Sequence, residues 1–327
     1  MTPGHVKIVL PCANEGEWLR VTIECLLDRT EYPSFEILIS ANGDTVTDFS
    51  FLEKPACRNR VSVLSTAEFL GVGKSLNVAV QPGDADYYVF LDAHCLVEER
   101  DWLAKAVACL REHPEASMVQ PEVLAFTYEG EIPPGAPLDP NRVQRLFCDY
   151  CIRWAWPYED PFHVADDQRV KLSELPFEGM AGGGMAIFVR SETFHRLGRL
   201  DPEVGGWYRE ALDYCIGAWL LGRPMLVEPR VRVLHKMKLD RALYPRTFQG
   251  LVHGALRTAY KYLSPRRRDL AEILFRQHGL GREVDQALEW IRKGSWLEER
   301  ARHLRERVHD DDWLFARFDV YEERYAG

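Results

Sequence analysis

Residues 87–95 read YYVFLDAHC, an apolar run that ends in an aspartate and a histidine. The run Tyr87–Leu91 is aromatic and β-branched enough to predict a buried strand. Asp92 and His94 are two residues apart, so in an extended chain their side chains point to the same side. Two interpretations are equally open. Either Asp92 and His94 bind a divalent cation at the strand end, or Asp92 caps a helix predicted at residues 98–111 and His94 is a loop residue.

The first half of the chain alternates short apolar runs with amphipathic runs. Strands are predicted at residues 6–10, 35–40, 61–64, 87–91 and 118–126, and helices at residues 17–29, 74–80 and 101–111. Short strands separated by helices indicate an α/β fold with a doubly wound, mainly parallel sheet. Such sheets bind ligands beyond the carboxyl ends of their strands. Asp92 and His94 follow one of those ends, which favours a binding site there.

The last quarter of the chain has a different pattern. Beyond about residue 239 the sequence has long charged helical stretches, with Pro245 and Pro265 as helix breakers. Amphipathic helices are predicted at residues 282–296 and 297–307. We therefore expect a catalytic domain at residues 1–240 and a helical appendage at residues 241–327, and we expect the part after Pro265 to take no part in the chemistry.

The composition limits the class of protein. The chain has 327 residues, 46% of them hydrophobic and 28% charged, which is enough for one large or two modest domains. A net charge of −9 argues against a nucleic-acid-binding surface. The sequence shows no signal-peptide pattern and no apolar run near the roughly 20 residues that span a bilayer. Several of the eight cysteines fall in predicted strands or helices, as buried thiols of cytosolic proteins do. We expect a cytoplasmic protein, or one peripheral to a membrane.

The segment GVGKS at residues 71–75 resembles part of a phosphate-binding P-loop. That motif needs a glycine five residues before Gly73, where this chain has Glu68, so we reject it. A glycine-rich bend that leads into a helix still favours anions, because the N–H groups at a helix start attract negative charge. Lys74 would add a positive charge. A phosphate-contacting helix start and an ordinary loop therefore remain equally open.

Three later segments combine residue types that suit a binding site. Residues 182–184 are glycines before a predicted strand and would let a ligand approach the backbone closely, although a flexible loop explains them as well. Glu210 and Asp213 have i, i+3 spacing on one helix face, although an acidic residue at a helix start also stabilises the helix dipole. His235 ends a predicted strand, and it becomes a third metal ligand only if that strand lies near Asp92.

Five segments taken together resemble a GT-A glycosyltransferase of the family 2 type, most closely the catalytic domains of polypeptide N-acetylgalactosaminyltransferases. They are, in order, IVLPCANEG (8–16), FLDAHC (90–95) followed by Trp102 and Leu103, GGGMAIFVRSETFHRLGRLDP (182–202), GWYREALDYCIGAWLLG (206–222) and VRVLH (231–235). The resemblance runs from about residue 6 to residue 257. Each segment alone is a weak signal, and five in the right order are a strong one.

The resemblance implies a GT-A fold, a UDP-sugar donor and a divalent cation, Mn²⁺ or Mg²⁺, held by Asp92, His94 and His235. An N-acetylhexosamine is one expected sugar, and the acceptor stays open among peptides, glycans and lipid-linked molecules. One oxygen and two imidazole ligands suit Mn²⁺ better than Ca²⁺. Glu210 and Asp213 are the candidate catalytic residues. The residues expected to contact the donor are Pro11, Ala13, Asn14, Glu15, Asn42, Lys74, Asp92, Gly183, Gly184 and Trp207.

Two positions depart from the family pattern. Family 2 enzymes usually have a carboxylate that contacts the nucleotide base where this chain has Ala41. Inverting family 2 enzymes use the aspartate of a Glu-Asp pair as their base, and the pair here reads Glu210-Ala211. The N-acetylgalactosaminyltransferases also lack that aspartate, and they retain configuration. We therefore slightly favour a retaining enzyme. The alternative is an enzyme in which Glu210 or Asp213 serves as the base.

Two other classes of function remain open at this stage. A nucleotidyltransferase shares a doubly wound sheet with acidic metal ligands, but it usually opens with a glycine-rich loop bearing Arg or Lys, and that loop is absent from this sequence. A non-catalytic scaffold that binds a nucleotide sugar would keep the binding residues without turnover. Donor hydrolysis separates these alternatives from a transferase. A homo-oligomer is compatible with the sequence.

Overall fold

The computed structural model of the chain describes residues 3–149, 153–156, 158–160, 175–204, 209–237, 248–318 and 320–322. Its strands are β1 (Val6–Cys12), β2 (Phe35–Asn42), β3 (Val61–Thr66), β4 (Tyr87–Leu91), β5 (Cys95–Val97), β6 (Met118–Tyr128), β7 (Val143–Asp149), β8 (Arg153–Trp156), β9 (Tyr158–Asp160), β10 (Phe177–Gly179), β11 (Ala186–Arg190), β12 (Met225–Lys236) and β13 (Tyr321–Glu322). Its helices are α1 (Glu17–Arg29), α2 (Pro55–Arg58), α3 (Val72–Ala79), α4 (Trp102–Glu112), α5 (Ser191–Arg196), α6 (Arg209–Leu220), α7 (Phe248–Tyr262), α8 (Pro265–Gln277), α9 (Gly281–Lys293), α10 (Trp296–Glu306) and α11 (Asp311–Arg317).

A mixed sheet forms the centre of the protein. Its main path has the order β10-β12-β6-β11-β4-β1-β2-β3, with β5 paired to β12 and β7 paired to β6. The four strands β3, β2, β1 and β4 are parallel to one another, whereas β11 is antiparallel to both of its neighbours. The remaining three strands, β8, β9 and β13, form a small separate sheet. The α/β fold with a doubly wound, mixed sheet is thus confirmed.

Helices cover both faces of this sheet. On one face α1 and α4 present apolar residues at helical spacing, such as Leu19, Ile23 and Leu26 of α1, which are fully buried. On the other face α3, α5 and α6 pack against the opposite sides of β1 and β4. Because every strand in the middle of the sheet is covered on both sides, its sequence is a continuous apolar run, as in Tyr87–Leu91.

The C-terminal helices belong to the same core as the second face of the sheet. Leu256 of α7, Phe275 of α8, Ile291 of α9 and Leu314 of α11 are buried in one apolar cluster with Trp219 of α6. The charged helical pattern that begins near residue 240 therefore marks a change from strands to helices within one continuous core. The division into residues 1–240 and 241–327 stays a prediction.

Most predicted elements of the first half are present, with ends that differ by a few residues. One alternative for Asp92 is wrong. The helix α4 begins at Trp102, ten residues after Asp92, so Asp92 does not cap it. Pro265 does not interrupt a helix but occupies the first position of α8, where its missing N–H costs nothing. Within the described residues, every helix is too short or too polar to cross a lipid bilayer.

Candidate active site and metal centre

Several predicted site residues lie at one edge of the sheet because the strands that carry them are parallel. The register pairs Cys12 of β1 with Ala41 of β2, and Val9 of β1 with Phe90 of β4. The turns after these three strands therefore emerge at the same edge, and they carry residues 13–15, Asn42 and Asp92. This is the edge at which a doubly wound sheet binds its ligands.

Asp92, His94 and His235, which we call the ligand cluster, come together at this edge. The two Nε2 atoms of His94 and His235 are 3.0 Å apart. Oδ2 of Asp92 lies 3.3 Å from Nε2 of His235 and 3.8 Å from Nε2 of His94. The histidine side chains are 7% and 9% exposed and that of Asp92 is 25% exposed, so the cluster opens to solvent on the aspartate side.

A short strand explains how His235 reaches the cluster. The three residues of β5 follow His94 directly and pair antiparallel with β12, which places His235 opposite Cys95. The loop before β5 is held from two sides. The amide of Asp92 donates to the carbonyl of Met185, and the Thr22 hydroxyl of α1 donates to the carbonyl of Ala93 at 3.1 Å.

The ligand cluster fits a divalent cation. Adjacent ligands of an octahedral ion with bonds of about 2.1 Å lie about 3 Å apart, which is close to the separations between the three ligand atoms. All three atoms lie within 4.8 Å of one another. Two neutral imidazoles and one carboxylate are ligands that a transition metal such as Mn²⁺ accepts. Binding of a metal by these residues stays a prediction.

Glu15 lies behind His94, not on the open side of the cluster. Its Oε2 is 3.2 Å from Nδ1 of His94, the ring nitrogen that points away from the cluster. Both side chains are almost fully buried, at 5% and 7% exposed. The two atoms are close, but Nδ1 makes no well-aligned hydrogen bond to Glu15. The predicted donor contact of Glu15 stays a prediction.

Asp44 fixes the turn that carries Glu15. Its Oδ2 accepts hydrogen bonds from the amide of Asn14 at 2.9 Å, from the thiol of Cys12 at 3.0 Å and from the hydroxyl of Thr47 at 2.7 Å. Burial alone would raise the pKa of Asp44, but the hydrogen bonds from Cys12 and Thr47 hold that pKa below its usual value. Asp44 is therefore a charged anchor of the turn.

Asn42 and Lys74 are joined by the loop before α3. The Oδ1 of Asn42 accepts from the amide of Leu70 at 2.6 Å, and its Nδ2 donates to the carbonyl of Gly71 at 3.3 Å. Gly71, at φ +81°, turns the chain into α3. Lys74 then lies exposed in the first turn of that helix, as a phosphate-contacting residue would. Pro11 and Ala13 are half-buried at the end of β1.

The three glycines pack closely against the sheet. The amide of Gly183 donates to Oε1 of Gln120 at 2.8 Å, and a Cβ on Gly182 would lie only 2.5 Å from the same oxygen. Gly184 has open space around its Cα. A Cβ at residue 182 would therefore clash with Gln120, and a Cβ at residue 183 would clash with the sulfur of Met185. The donor contacts of Gly183 and Gly184 stay predictions, and Trp207 lies outside the described residues.

Glu210 lies in the first turn of α6, 5% exposed. A Cβ added at Gly73 would lie 2.9 Å from Cγ of Glu210, so the starts of α6 and α3 are in contact at this point. A glycine at residue 73 thus makes room for the Glu210 side chain beside Lys74. This contact places Glu210 next to the helix start predicted to contact phosphates.

Asp213 does not share the setting of Glu210. Its Oδ2 is 2.7 Å from Nζ of Lys261 and its Oδ1 accepts from the hydroxyl of Thr258 at 2.8 Å, both on α7. Asp213 is 1% exposed and lines a cavity of about 530 Å³ whose lining includes no residue of the ligand cluster. The predicted role of Asp213 as a base is not supported, because its carboxylate is already neutralised by a buried ammonium group.

The ion pairs around Lys261 extend to the loop before α6. Asp201 accepts from Nε of Arg257 at 2.8 Å and from Nζ of Lys261 at 2.6 Å. Burial would raise the pKa of Asp201, but the charges of Lys261 and Arg257 lower it to about 2. This network was not predicted from the sequence. The available signal was the i, i+4 spacing of Arg257 and Lys261 inside an otherwise apolar helix pattern.

Comparison with known proteins gives one family and a set of relatives. Residues 7–152 match the family model described as glycosyl transferase family 2. The chain is 26% identical over 250 residues to polypeptide N-acetylgalactosaminyltransferase 11 of Xenopus tropicalis, a match that covers 74% of this chain and 40% of the relative. It is 22% identical over 209 residues to a protein of Macaca fascicularis named inactive polypeptide N-acetylgalactosaminyltransferase-like protein 5, covering 63% and 44%. The chain spans about two fifths of the length of these relatives.

Solved structures share the fold. The crystal structure of GalNAc-T7 with UDP, GalNAc and Mn²⁺ superposes with a TM-score of 0.69 and 18% identity, covering 96% of this chain and 56% of that one. Staphylococcus aureus TarS in complex with UDP-GlcNAc superposes with a TM-score of 0.50 and 13% identity, covering 82% and 70%. These superpositions confirm the GT-A fold. The family model and the curated relatives confirm the resemblance to family 2 and to the catalytic domains of N-acetylgalactosaminyltransferases.

Proposed function

We propose that this chain is a metal-dependent glycosyltransferase that moves a sugar from a UDP-sugar to an acceptor. The observation that carries the proposal is the convergence of Asp92, His94 and His235 at the ligand-binding edge of a GT-A sheet. The match to family 2 includes Asp92 and His94. GalNAc-T7, which has the same fold, was crystallised with UDP, GalNAc and Mn²⁺, and this supports the choice of donor and metal.

The ligand cluster would hold Mn²⁺ or Mg²⁺ through one carboxylate oxygen and two Nε2 atoms. When bound, a divalent cation offsets the negative charge of a diphosphate and makes it a better leaving group. The cluster is open on the side of Asp92, where diphosphate oxygens would complete the coordination. Nucleotide and cation should therefore strengthen each other's binding.

Residues around the cluster would orient the donor. Lys74, exposed in the first turn of α3, brings a positive charge and the helix start toward the phosphates. The hydrogen bonds of Asn42 to residues 70 and 71 fix where that helix begins. Glu210, packed against Gly73, is the carboxylate that we assign to the sugar or to the acceptor.

The proposed reaction breaks one bond and forms another. The bond between the anomeric carbon of the sugar and the diphosphate oxygen breaks, and its electron pair leaves with UDP. A bond forms between the anomeric carbon and the nucleophilic atom of the acceptor, whose proton passes to the departing diphosphate. We favour retention of configuration, because Ala211 stands where inverting family 2 enzymes have their base.

Donor hydrolysis tests the proposal. The full chain, incubated with Mn²⁺ and either UDP-GalNAc or UDP-GlcNAc, should release UDP slowly without an acceptor, and EDTA should stop the release. Asp92→Asn should fold normally and release no UDP above background. The assay reads UDP by chromatography.

The other functions give different results in the same assay. A scaffold would bind the UDP-sugar without releasing UDP. This alternative is worth testing because one relative is named as inactive. A nucleotidyltransferase would leave UDP-sugars intact but form pyrophosphate from a nucleoside triphosphate and a sugar phosphate. Either of these results would overturn the proposal.

A further inference from the structure

We propose that Glu15 is a positioning residue that prepares His94 to bind the cation, an inference that rests on the proposed function. Glu15 faces the back of the His94 ring, where its Oε2 is 3.2 Å from Nδ1. The other nitrogen of the ring, Nε2, faces His235 and Asp92. The imidazole of His94 therefore lies between the carboxylate of Glu15 and the cation site.

The position of the hydrogen on the imidazole ring explains how Glu15 could help His94 bind a cation. A neutral ring carries one N–H, and the nitrogen that binds a cation must be the one without the hydrogen. A carboxylate beside Nδ1 stabilises the form with the hydrogen on Nδ1, which leaves the lone pair of Nε2 available. Glu15 is placed to do this for His94.

The contact between the two histidines makes such a device necessary. The two Nε2 atoms of His94 and His235 are 3.0 Å apart, which is also a normal hydrogen-bond distance. If one of them carries the hydrogen, it donates to the other and neither is available to a cation. Glu15 opposes this competing arrangement at His94, because a hydrogen on Nε2 would leave the buried carboxylate facing a nitrogen lone pair.

The backbone around Glu15 is held so that the carboxylate stays in place. Asn14, just before it, has φ +58°, a conformation that costs energy for a non-glycine residue and persists only when neighbours enforce it. Asp44 provides that support, since it accepts from the amide of Asn14. On the other side of Glu15, the amide of Gly16 donates to the hydroxyl of Thr47 at 3.2 Å. Glu15 is thus fixed from both sides by the loop after β2.

Titration of Mn²⁺ followed by electron paramagnetic resonance, with saturating UDP, tests the inference. Glu15→Ala should weaken Mn²⁺ binding by about 10- to 100-fold, the usual cost of losing such a partner. Glu15→Gln should weaken it less, because the amide oxygen still lies beside Nδ1 but has no charge. Glu36→Gln is the matched control, since Glu36 is a half-exposed carboxylate of β2 that pairs with Lys7 at 3.1 Å. It should bind Mn²⁺ like the wild type.

Two further readouts separate positioning from other roles. Without added metal, ¹⁵N NMR of the histidines should show the hydrogen of His94 on Nδ1 in the wild type, and a larger share on Nε2 in Glu15→Ala. In EDTA, UDP binding by calorimetry should be equal in the wild type and both variants, whereas a direct contact of Glu15 with the nucleotide would weaken it.

The failures of the two proposals are distinguishable. If the wild type binds no Mn²⁺ in the presence of UDP, the proposed function falls. If the wild type binds Mn²⁺ and both Glu15 variants bind it within twofold of the wild type, the role of Glu15 falls. Should Glu15→Ala not fold, Glu15→Gln, which keeps the volume of the side chain, decides the question.

Discussion

Glu210 packs against Gly73 where the first turns of α6 and α3 meet. We predict that Glu210→Gln lowers donor hydrolysis and transfer by about 10²- to 10⁴-fold, because a positioned acid or base group contributes that much to a rate. Binding of UDP with Mn²⁺ should change little, since the ligand cluster is untouched. Turnover and calorimetric binding measured on the same preparation check both parts.

A suitable control for Glu210 is Glu192→Gln on α5, whose side chain is 87% exposed. It should keep full turnover. If Glu210→Gln keeps more than half of the wild-type turnover, the residue acts only at the helix start and the assignment is wrong.

At the residue scale, the sequence predicted positions well and contacts poorly. The spacing of Asp92 and His94 after an apolar run placed both side chains on one side of a strand end, and it left a metal site and a helix cap equally open. The roles of Glu15 and Asp213 depend on partners far away in the sequence, His94 for the first and Lys261 for the second. Spacing along the chain carries no information on such pairs.

At the scale of elements, the short strand β5 decides the site. It has three residues, too few for a recognisable alternation, and it was absent from the predicted elements. Its pairing with β12 brings His235 to His94. The longer strands β1, β2 and β4 were predictable because burial on both faces makes them continuously apolar.

The contact between α6 and α7 depends on a buried charge pair. Lys261→Met removes the partner of Asp213 and should lower the free energy of unfolding by about 3–5 kcal/mol, the usual cost of leaving a buried charge unpaired. Adding Asp213→Asn to this variant should recover part of the loss, because no buried charge then remains at residue 213. Urea unfolding of the two variants checks this order. A loss below about 1 kcal/mol in the single variant would contradict it.

Two buried histidines on the C-terminal helices should make the protein sensitive to acid. Burial lowers the pKa of His253 on α7 and of His303 on α10 to about 4. The unfolded chain takes up protons on both near pH 6.5, whereas the folded chain does so only near pH 4. Stability is therefore complete above pH 6.5 and falls as the pH is lowered toward 4, by about 2 kcal/mol per histidine at pH 5.

The variant His253→Phe checks this pH dependence. Thermal unfolding measured from pH 7 to pH 5 should show about half the wild-type loss of stability, because one of the two histidines no longer titrates. The exposed His278, changed to Phe, should leave the wild-type dependence intact. An unchanged slope in His253→Phe would show that other groups cause the acid sensitivity.

At the scale of the whole molecule, the C-terminal helices complete the core. Phe275, Ile291 and Leu314 are buried in the cluster that also holds Trp219, and Glu299 of α10 lies 3.0 Å from the guanidinium of Arg257. A chain that ends at residue 264 would lack Phe275, Ile291, Leu314 and Glu299, and would expose Trp219 and Arg257. We predict that it loses cooperative thermal unfolding and expresses mostly as insoluble protein. A soluble fragment that unfolds cooperatively and still hydrolyses donor would support the original two-part division instead.

The fold class was predictable from the sequence, whereas the packing of the C-terminal region was not. Strands and helices that alternate along residues 6–126 leave few alternatives to a doubly wound sheet. The helices α8 to α10 are dominated by charged residues and bury only a few apolar positions, such as Ala271, Phe275 and Ile291. A helix with a charged surface and a narrow buried stripe has the same sequence pattern whether it forms a separate appendage or completes the core. The sequence therefore could not distinguish these two arrangements.

The central claim is that Asp92, His94 and His235 hold one divalent cation, and diffraction at the manganese absorption edge tests it most directly. Crystals of the full chain grown with UDP and Mn²⁺ should show an anomalous peak about 2 Å from a carboxylate oxygen of Asp92 and from the two Nε2 atoms. Phosphate oxygens of UDP should lie on its open side. A well-ordered UDP with no anomalous peak among these three residues, or with the peak held by other residues, would contradict the account.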